Sequence, residues 1–556
     1  MASNKTVKNR AVTVHLLLLV SFTFLIYSNA LDAPFIFDDY ANIIRNPRLK
    51  DLSDFWPPSG TRYLSYLSFA LNYQISGAAP FGYHLFNMVI HTANAALVYF
   101  LALHTFETPL LKATPGNANP GHIALFSALL FTAHPVQTEA VTYISQRFTS
   151  LAVFFYLFSL VCFIRWRLSD KKILSGFYLL SVLSAISAQV TKEISFTLPF
   201  IIFIYDLIFF KGHVRAKRYS YTIPLLAPLF IIPFMLFFPE MGSGISEEIR
   251  GSQIHELLNL SRHDYLINQF RVIVTYIRLL ALPVNQNLDY DWALAGSFFE
   301  PEVIISFVFL LAVFSFAVYF LIRFYKNGNG PLALASFGVV WFFITLSIES
   351  SVIPIKDVIF EHRLYLPSVG IAAAFSSALF YGSDRLNIPF RKTGIVLLLI
   401  VAALGGATLS RNEVWADKIA FWKDIAEKSP DKARAHINLG FAYREEGLLD
   451  EALDEYRKAL TIEPQNPVLL NNIGVAHLML GNIDEAIKAI KSSIQARPDY
   501  PESHNSLGYA YFTKGRIDEA IVEYNEALKL KPGYTEAEKN LETALRKKRG
   551  DAEKRD

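Results

Sequence analysis

Cysteine is nearly absent. The 556-residue chain has one, Cys162, inside an apolar run. A lone thiol cannot build a disulfide framework, and it leaves the redox compartment open. Charge is also scarce: 18% of residues are Asp, Glu, Lys or Arg, against 52% hydrophobic. That balance excludes an ordinary soluble protein and points to several membrane spans. The net charge of +3 is too small to suggest a nucleic-acid partner. Up to about residue 410 the chain is mostly apolar runs; beyond, it is charged, rich in Ala, Leu and Tyr, and helical in pattern. A membrane part and a polar tail are expected.

Ala11 to Ala30 is uncharged and long enough to cross a hydrocarbon core of about 30 Å. It follows MASNKTVKNR and exceeds the apolar core of a usual signal peptide, so it reads as an uncleaved span rather than a leader ending at SNA. Further spans are expected at 83–103, 122–133, 149–165, 173–190, 194–210, 221–238, 301–322, 331–348, 363–381 and 394–410. The basic loops RWRLSDKK, KGHVRAKRY, RFYKNGNG and SDRLNIPFRK all fall on the cytoplasmic side only if the run at 265–283 does not cross. In that run Asn268, Arg271, Thr275 and Arg278 form one polar stripe on a helix, which suits a helix in the interface or facing a cavity. The expectation is eleven spans, one outer-face interfacial helix, and a tail outside the cytoplasm. If 265–283 crossed, the sidedness of everything after it would reverse.

The tail repeats with a period of 34 residues from Ala433, Pro467 and Pro501. Gly440, Gly474 and Gly508 share one position, Ala452, Ala486 and Ala520 another, and Pro464, Pro498 and Pro532 close the units. Small residues let antiparallel helices approach, and proline ends the second helix; this is the pattern of a tetratricopeptide repeat. Stacked repeats form a groove for peptide or protein, or else a structural spacer.

The outer loops collect the unusual polar residues. Asp38 and Asp39 stand between Phe37 and Tyr40, within about eight residues of the first span, where a lipid headgroup would lie. The plain reading is a solvated loop pair. The chemical one is a carboxylate that takes a proton from an acceptor hydroxyl while a sugar leaves a lipid phosphate. Adjacent charges disfavour joint ionisation, so one has a raised pKa and acts as base; the pattern does not say which. A leaving polyprenyl phosphate needs cationic stabilisation. The candidates are Arg147, Lys192, His362 and Arg363, with Arg271 and Arg278 in reserve. Arg147 and Arg363 could instead anchor span ends, and Lys192 could pair with Glu193. His134, Glu139, Glu193, Glu361, Asp289, Asp291 and Tyr365 are the remaining candidates for substrate contact, although His134 before Pro135 also reads as a satisfied interfacial histidine. His84, His91 and His104 read as packing or pore-facing residues, since no second ligand cluster accompanies them. Asp38, Asp39, Asp289 and Asp291 could together take a divalent metal, but no metal requirement and no cofactor are expected.

FDDYANIIRNPRL, HPVQTEAVTYISQRF, TKEISFTLPFIIFIYDL, QFRVIVTYIRLLALPVNQNLDYDW and FEHRLYLPSVG occur in this order ahead of the repeats. With them the chain resembles the transmembrane and tetratricopeptide repeat-containing family, which are O-mannosyltransferases of the GT-C superfamily with many bacterial relatives. The resemblance implies an all-α protein: a polytopic transmembrane GT-C-like domain over 1–410, a linker helix over 411–432, three tetratricopeptide repeats over 433–534, and a capping helix and tail over 535–556. It implies inverting transfer of mannose or another hexose from a dolichyl- or undecaprenyl-phosphate donor to Ser or Thr hydroxyls, with the repeat groove recruiting a protein or peptide acceptor. The family's acidic pair falls on Asp38 and Asp39, and its phosphate contact on Arg147, His362 and Arg363. Few repeats and a compact length are more like bacterial relatives. They favour a bacterial inner membrane with a periplasmic site and repeats, the alternative being the endoplasmic reticulum lumen, and leave sugar and acceptor open. The rival reading is a non-catalytic membrane-anchored repeat scaffold for envelope complexes. A scaffold needs one span and has no use for five polar outer motifs. A transporter would need charges in mid-span.

Overall fold

The computed structural model describes residues 2–60, 62–113, 120–169, 175–210, 222–231, 261–351, 354–355 and 357–553. Among them every regular element is helical. Contacts divide the chain into two units, residues 1–288 with 292–416, and residues 289–291 with 417–556.

The main helices of the first unit are α1 (Ala2–Tyr27), α2 (Tyr63–Ser76), α3 (Pro80–Thr105), α4 (Pro120–Ala133), α5 (Arg147–Arg167), α6 (Gly176–Gln189), α7 (Leu198–Phe209), α8 (Arg262–Ala281), α9 (Pro301–Lys326), α10 (Gly330–Leu346), α11 (Pro367–Arg385) and α12 (Phe390–Trp415). Among the described residues, five stretches are long and apolar enough to cross a membrane: Arg10–Ala30, Pro80–Thr105, Ile144–Arg167, Pro301–Lys326 and Phe390–Trp415. At 1.5 Å per residue a helix of α9's length runs about 39 Å, more than the ~30 Å hydrocarbon core. In α5, 83% of the most apolar window is buried, against 22% in α9, so α5 is a central pillar and α9 shows its apolar face outward.

The helices at the expected spans 122–133, 173–190 and 194–210 are 14, 14 and 12 residues long. Alone they fall short of the ~20 residues of a span. α4 gives way at His134 to the buried turn Pro135–Gln137, and α7 follows the turn Glu193–Thr197. Irregular backbone at such depth is tolerated where protein covers it. Of the expected span at 221–238, residues 221 and 232–238 lie outside the described residues, as does all of KGHVRAKRY.

The run expected to lie in the interface is α8, which is not among the five crossing candidates. Its polar stripe turns toward protein. Asn268 exchanges hydrogen bonds with the backbone of Ala295 at 3.1 and 2.9 Å, Arg271 pairs with Glu302 at 2.9 Å, and Arg278 donates to Val284 O at 2.9 Å. α10 and α11 cross where Gly338 and Gly370 face each other: a Cβ on either would overlap the other's carbonyl. Small residues at a crossing are how helices in lipid gain close packing.

The second unit consists of α13 (Lys418–Lys428), three helix pairs and a last helix. The pairs are α14 (Ala433–Glu445) with α15 (Leu449–Ile462), α16 (Pro467–Met479) with α17 (Ile483–Ala496), and α18 (Pro501–Thr513) with α19 (Ile517–Leu530); α20 (Thr535–Glu553) follows. Gly440, Gly474 and Gly508 lie directly against Tyr456, Ile490 and Tyr524, which explains the recurring glycine. α12 continues to Trp415, so the first unit ends at 416 rather than 410.

Candidate active site

The paired carboxylates face opposite environments. Phe37 takes a φ of 47°, in the left-handed region that residues with a β-carbon seldom adopt. After this turn Asp38 is exposed while Asp39 is fully buried. Asp39 accepts hydrogen bonds from Ser145 N at 2.8 Å, Ser145 Oγ at 2.6 Å and Ile36 N at 3.1 Å. Burial nevertheless pushes its carboxyl up to about 7. The backbone N–H of Asp38 donates to the Tyr143 hydroxyl at 3.0 Å. Asn42 braces Ser145 at 3.3 Å, and the Tyr66 hydroxyl donates to Asn42 at 3.2 Å. One aspartate fastens the loop and its neighbour is presented.

Two cations belong to the same region. Lys192 is buried; its Nζ donates to Thr149 Oγ1 at 2.9 Å and pairs with Glu349 at 2.8 Å. Arg62, just before α2, reaches Glu193 through Nε at 3.3 Å and Nη2 at 3.4 Å and lies over the Phe148 ring. These bonds are long and the pair is about two-fifths exposed, so it is loosely held. Arg62 and Asp38 both act electrostatically on Tyr66. Sequence reasoning missed Arg62 and Glu349. Each is the sole charged residue in a long stretch, between Asp54 and Glu107 and between Lys326 and Lys356, and that isolation was the available signal.

Several expected cations are held elsewhere. Arg147 is fully buried and donates to Asn87 Oδ1 (2.7 Å), Asn72 Oδ1 (2.9 Å), Tyr83 O (3.0 Å) and Ser68 O (3.3 Å). It staples α2 and α3 to α5, and its donors are not presented to a lipid phosphate. Arg363 donates to Val358 O and Asp357 O, both at 2.8 Å. Arg271 and Arg278 serve the neighbourhood of α8. Both His134 nitrogens are engaged, with Leu280 O at 3.1 Å and Val136 N at 3.3 Å. The Tyr365 hydroxyl is buried between His91 and Asn94 at 2.7 and 3.1 Å.

Asp289 and Asp291 belong to the second unit. There Asp289 is gripped by Arg434 at 2.6 and 2.7 Å and by Lys432, and Asp291 N donates to Ser429 Oγ. The metal set Asp38, Asp39, Asp289 and Asp291 therefore divides between the units. Among the described residues no three His, Cys, Asp or Glu side chains converge as metal ligands would.

A second buried cluster joins the loops after α4 and before α11. Glu139 accepts from the backbone N–H groups of Glu361 and His362 at 2.8 and 3.1 Å, and lies 2.6 Å from His362 Nδ1. Glu361 accepts from Asn287 N at 2.8 Å and from the Gln286 side chain. The charges of Lys192, Arg363 and Arg62 bear on His362, tying this cluster to the cations above.

Family comparison matches "TPR repeat" over residues 442–481 and "Tetratricopeptide repeat" over 471–535. The Caenorhabditis elegans protein O-mannosyl-transferase F38B6.6 is 25% identical over 470 residues, 81% of this chain and 63% of its own length. Human protein O-mannosyl-transferase TMTC1 is 25% identical over 515 residues, 82% of this chain and 56% of its own length. The chain thus spans between half and two-thirds of these relatives. Among solved structures, the first TPR of Spaghetti (RPAP3), bound to an HSP90 peptide, is 29% identical with a TM-score of 0.20, covering 21% of this chain and 91% of that one. Tetratricopeptide repeats behind a helical unit with membrane-crossing character make this chain similar, over four-fifths of its length, to protein O-mannosyl-transferases, as its motifs lead one to expect.

Proposed function

We propose that the protein transfers a hexosyl group, mannose first among candidates, from a polyprenyl phosphate to a Ser or Thr hydroxyl of a protein acceptor on the outer face of its membrane. The observation that carries this reading is the division of labour at Asp38 and Asp39, beside Arg62 and Lys192. The names of the relatives support the same chemistry.

Asp38, the exposed carboxylate, takes the proton as the acceptor oxygen attacks the sugar's anomeric carbon; the raised pKa expected of the base falls instead on the buried Asp39, so the two properties are divided between the pair. The bond from that carbon to the phosphate oxygen breaks, and its electron pair leaves with the phosphate. A single displacement inverts the anomeric centre. Lys192 and Arg62 stabilise the growing phosphate charge, exchanging their contacts with Glu349 and Glu193 for phosphate oxygens. The repeat unit recruits the acceptor. The basic loops support an outer site, periplasmic if the protein is bacterial.

The test is a donor panel: purified protein in lipid with radiolabelled polyprenyl-phosphate hexoses and an envelope-protein extract. Label released from Ser or Thr by β-elimination is expected with one donor. No protein label with any donor would refute the reading.

A further inference from the structure

His362 is held by one ring nitrogen. Nδ1 meets Glu139 at 2.6 Å, and the ring stacks against Phe360 with centroids 5.1 Å apart. Position and angle are therefore set by a carboxyl that two backbone N–H groups already fix. Nε2, across the ring, has no hydrogen-bond partner among the described residues, although the residue is only 6% exposed. An open polar atom on a ring otherwise this enclosed is a place where a ligand group can pair.

What would complete it follows from the charges around it. Burial pushes the Glu139 carboxyl up and the His362 imidazole down, and Lys192, Arg363 and Arg62 add to the imidazole's shift. Both shifts favour the uncharged forms of the hydrogen-bonded couple. Such an imidazole adds little to the grip of Lys192 and Arg62 on a phosphate. A hydroxyl, which both donates and accepts, pairs with Nε2 in either tautomer. On a lipid-linked sugar seated with its phosphate at those cations, the nearest hydroxyls are the sugar's own.

We propose that His362, positioned by Glu139, hydrogen-bonds through Nε2 to a hydroxyl of the donor's sugar and so helps select the hexose. This rests on the polyprenyl-phosphate hexose reading above, and it moves His362 from the phosphate role that the resemblance implied to a sugar role.

Two substitutions separate the ring nitrogens. Asn at 362 places an amide near Nδ1, keeping the bond to Glu139 and removing Nε2. Gln reaches toward Nε2. Full-length protein in lipid nanodiscs would be tested for binding tritiated polyprenyl-phosphate mannose and, separately, polyprenyl phosphate without sugar. Wild type is expected to prefer the sugar-bearing lipid. His362→Asn should lose that preference by about tenfold, the worth of one hydrogen bond, with bare-lipid affinity within about twofold. His362→Gln should recover part of it. An unchanged preference in His362→Asn overturns the proposal, as does an equal loss for both lipids, which returns His362 to phosphate or to the fold. Wild type binding both lipids equally also overturns it while leaving the donor reading intact. Wild type binding neither lipid refutes the donor reading itself, and the proposal with it.

Discussion

Asp39 is a carboxyl whose folded state holds its proton more tightly than its unfolded state does. Its value rises from 3.8 to about 7, so its contribution to stability is full below about pH 3.8 and is lost as pH rises through about 7. Asp39→Asn should flatten that part of the decline, and thermal unfolding of both proteins across pH 4 to 8 would show it. Lys192→Ala should lower kcat/KM for the donor by about 10²-fold, as removal of one charge-stabilising donor typically does, with the acceptor KM little changed; initial rates at varied donor and acceptor check this. The place of the acidic pair, just after the first apolar run, was legible in the sequence. Which aspartate is presented was not, because that depends on Ser145, more than a hundred residues away. Arg147 shows the same limit. An arginine at the start of an apolar run reads as a phosphate ligand or an anchor, and only Asn72 and Asn87 decide for the anchor.

Among the elements, the α10–α11 crossing brings backbone against backbone. Gly338→Ala should destabilise by about 1–3 kcal/mol, because backbone rather than a flexible side chain stands in the way. Gly406→Ala, in α12 with nothing within 4 Å, should be neutral or slightly stabilising. Thermal unfolding in one detergent would compare the two. The repeat helices were legible in full, since a 34-residue period constrains glycine, alanine and proline together. The short helices of the first unit were not. An apolar run shows that a segment is buried, but not that α4 stops at Ala133 and continues as a covered turn. The polar stripe on α8 was legible as a face, while its cover, the stretch from Ala293 to Glu302, was not.

In the whole molecule, two charge economies meet in one chain. The first unit is apolar with few charges, and those at the candidate site are paired or buried with defined partners. The repeats are charged throughout and carry a recurring pair, His436–Glu455 and His504–Glu523, at equivalent positions of the first and third repeats. The pairs Lys192–Glu349 and Arg62–Glu193 add little stability by themselves, which suits the proposed phosphate ligand that would exchange with them. The most direct test is the single-turnover rate of sugar transfer from labelled donor to an acceptor peptide in wild type, Asp38→Asn and Asp39→Asn. A fall of about 10²–10⁴-fold is expected for Asp38→Asn, with Asp39→Asn within about tenfold of wild type and less stable. Wild-type transfer by Asp38→Asn, or complete loss in Asp39→Asn at unchanged stability, would contradict Asp38 as the base.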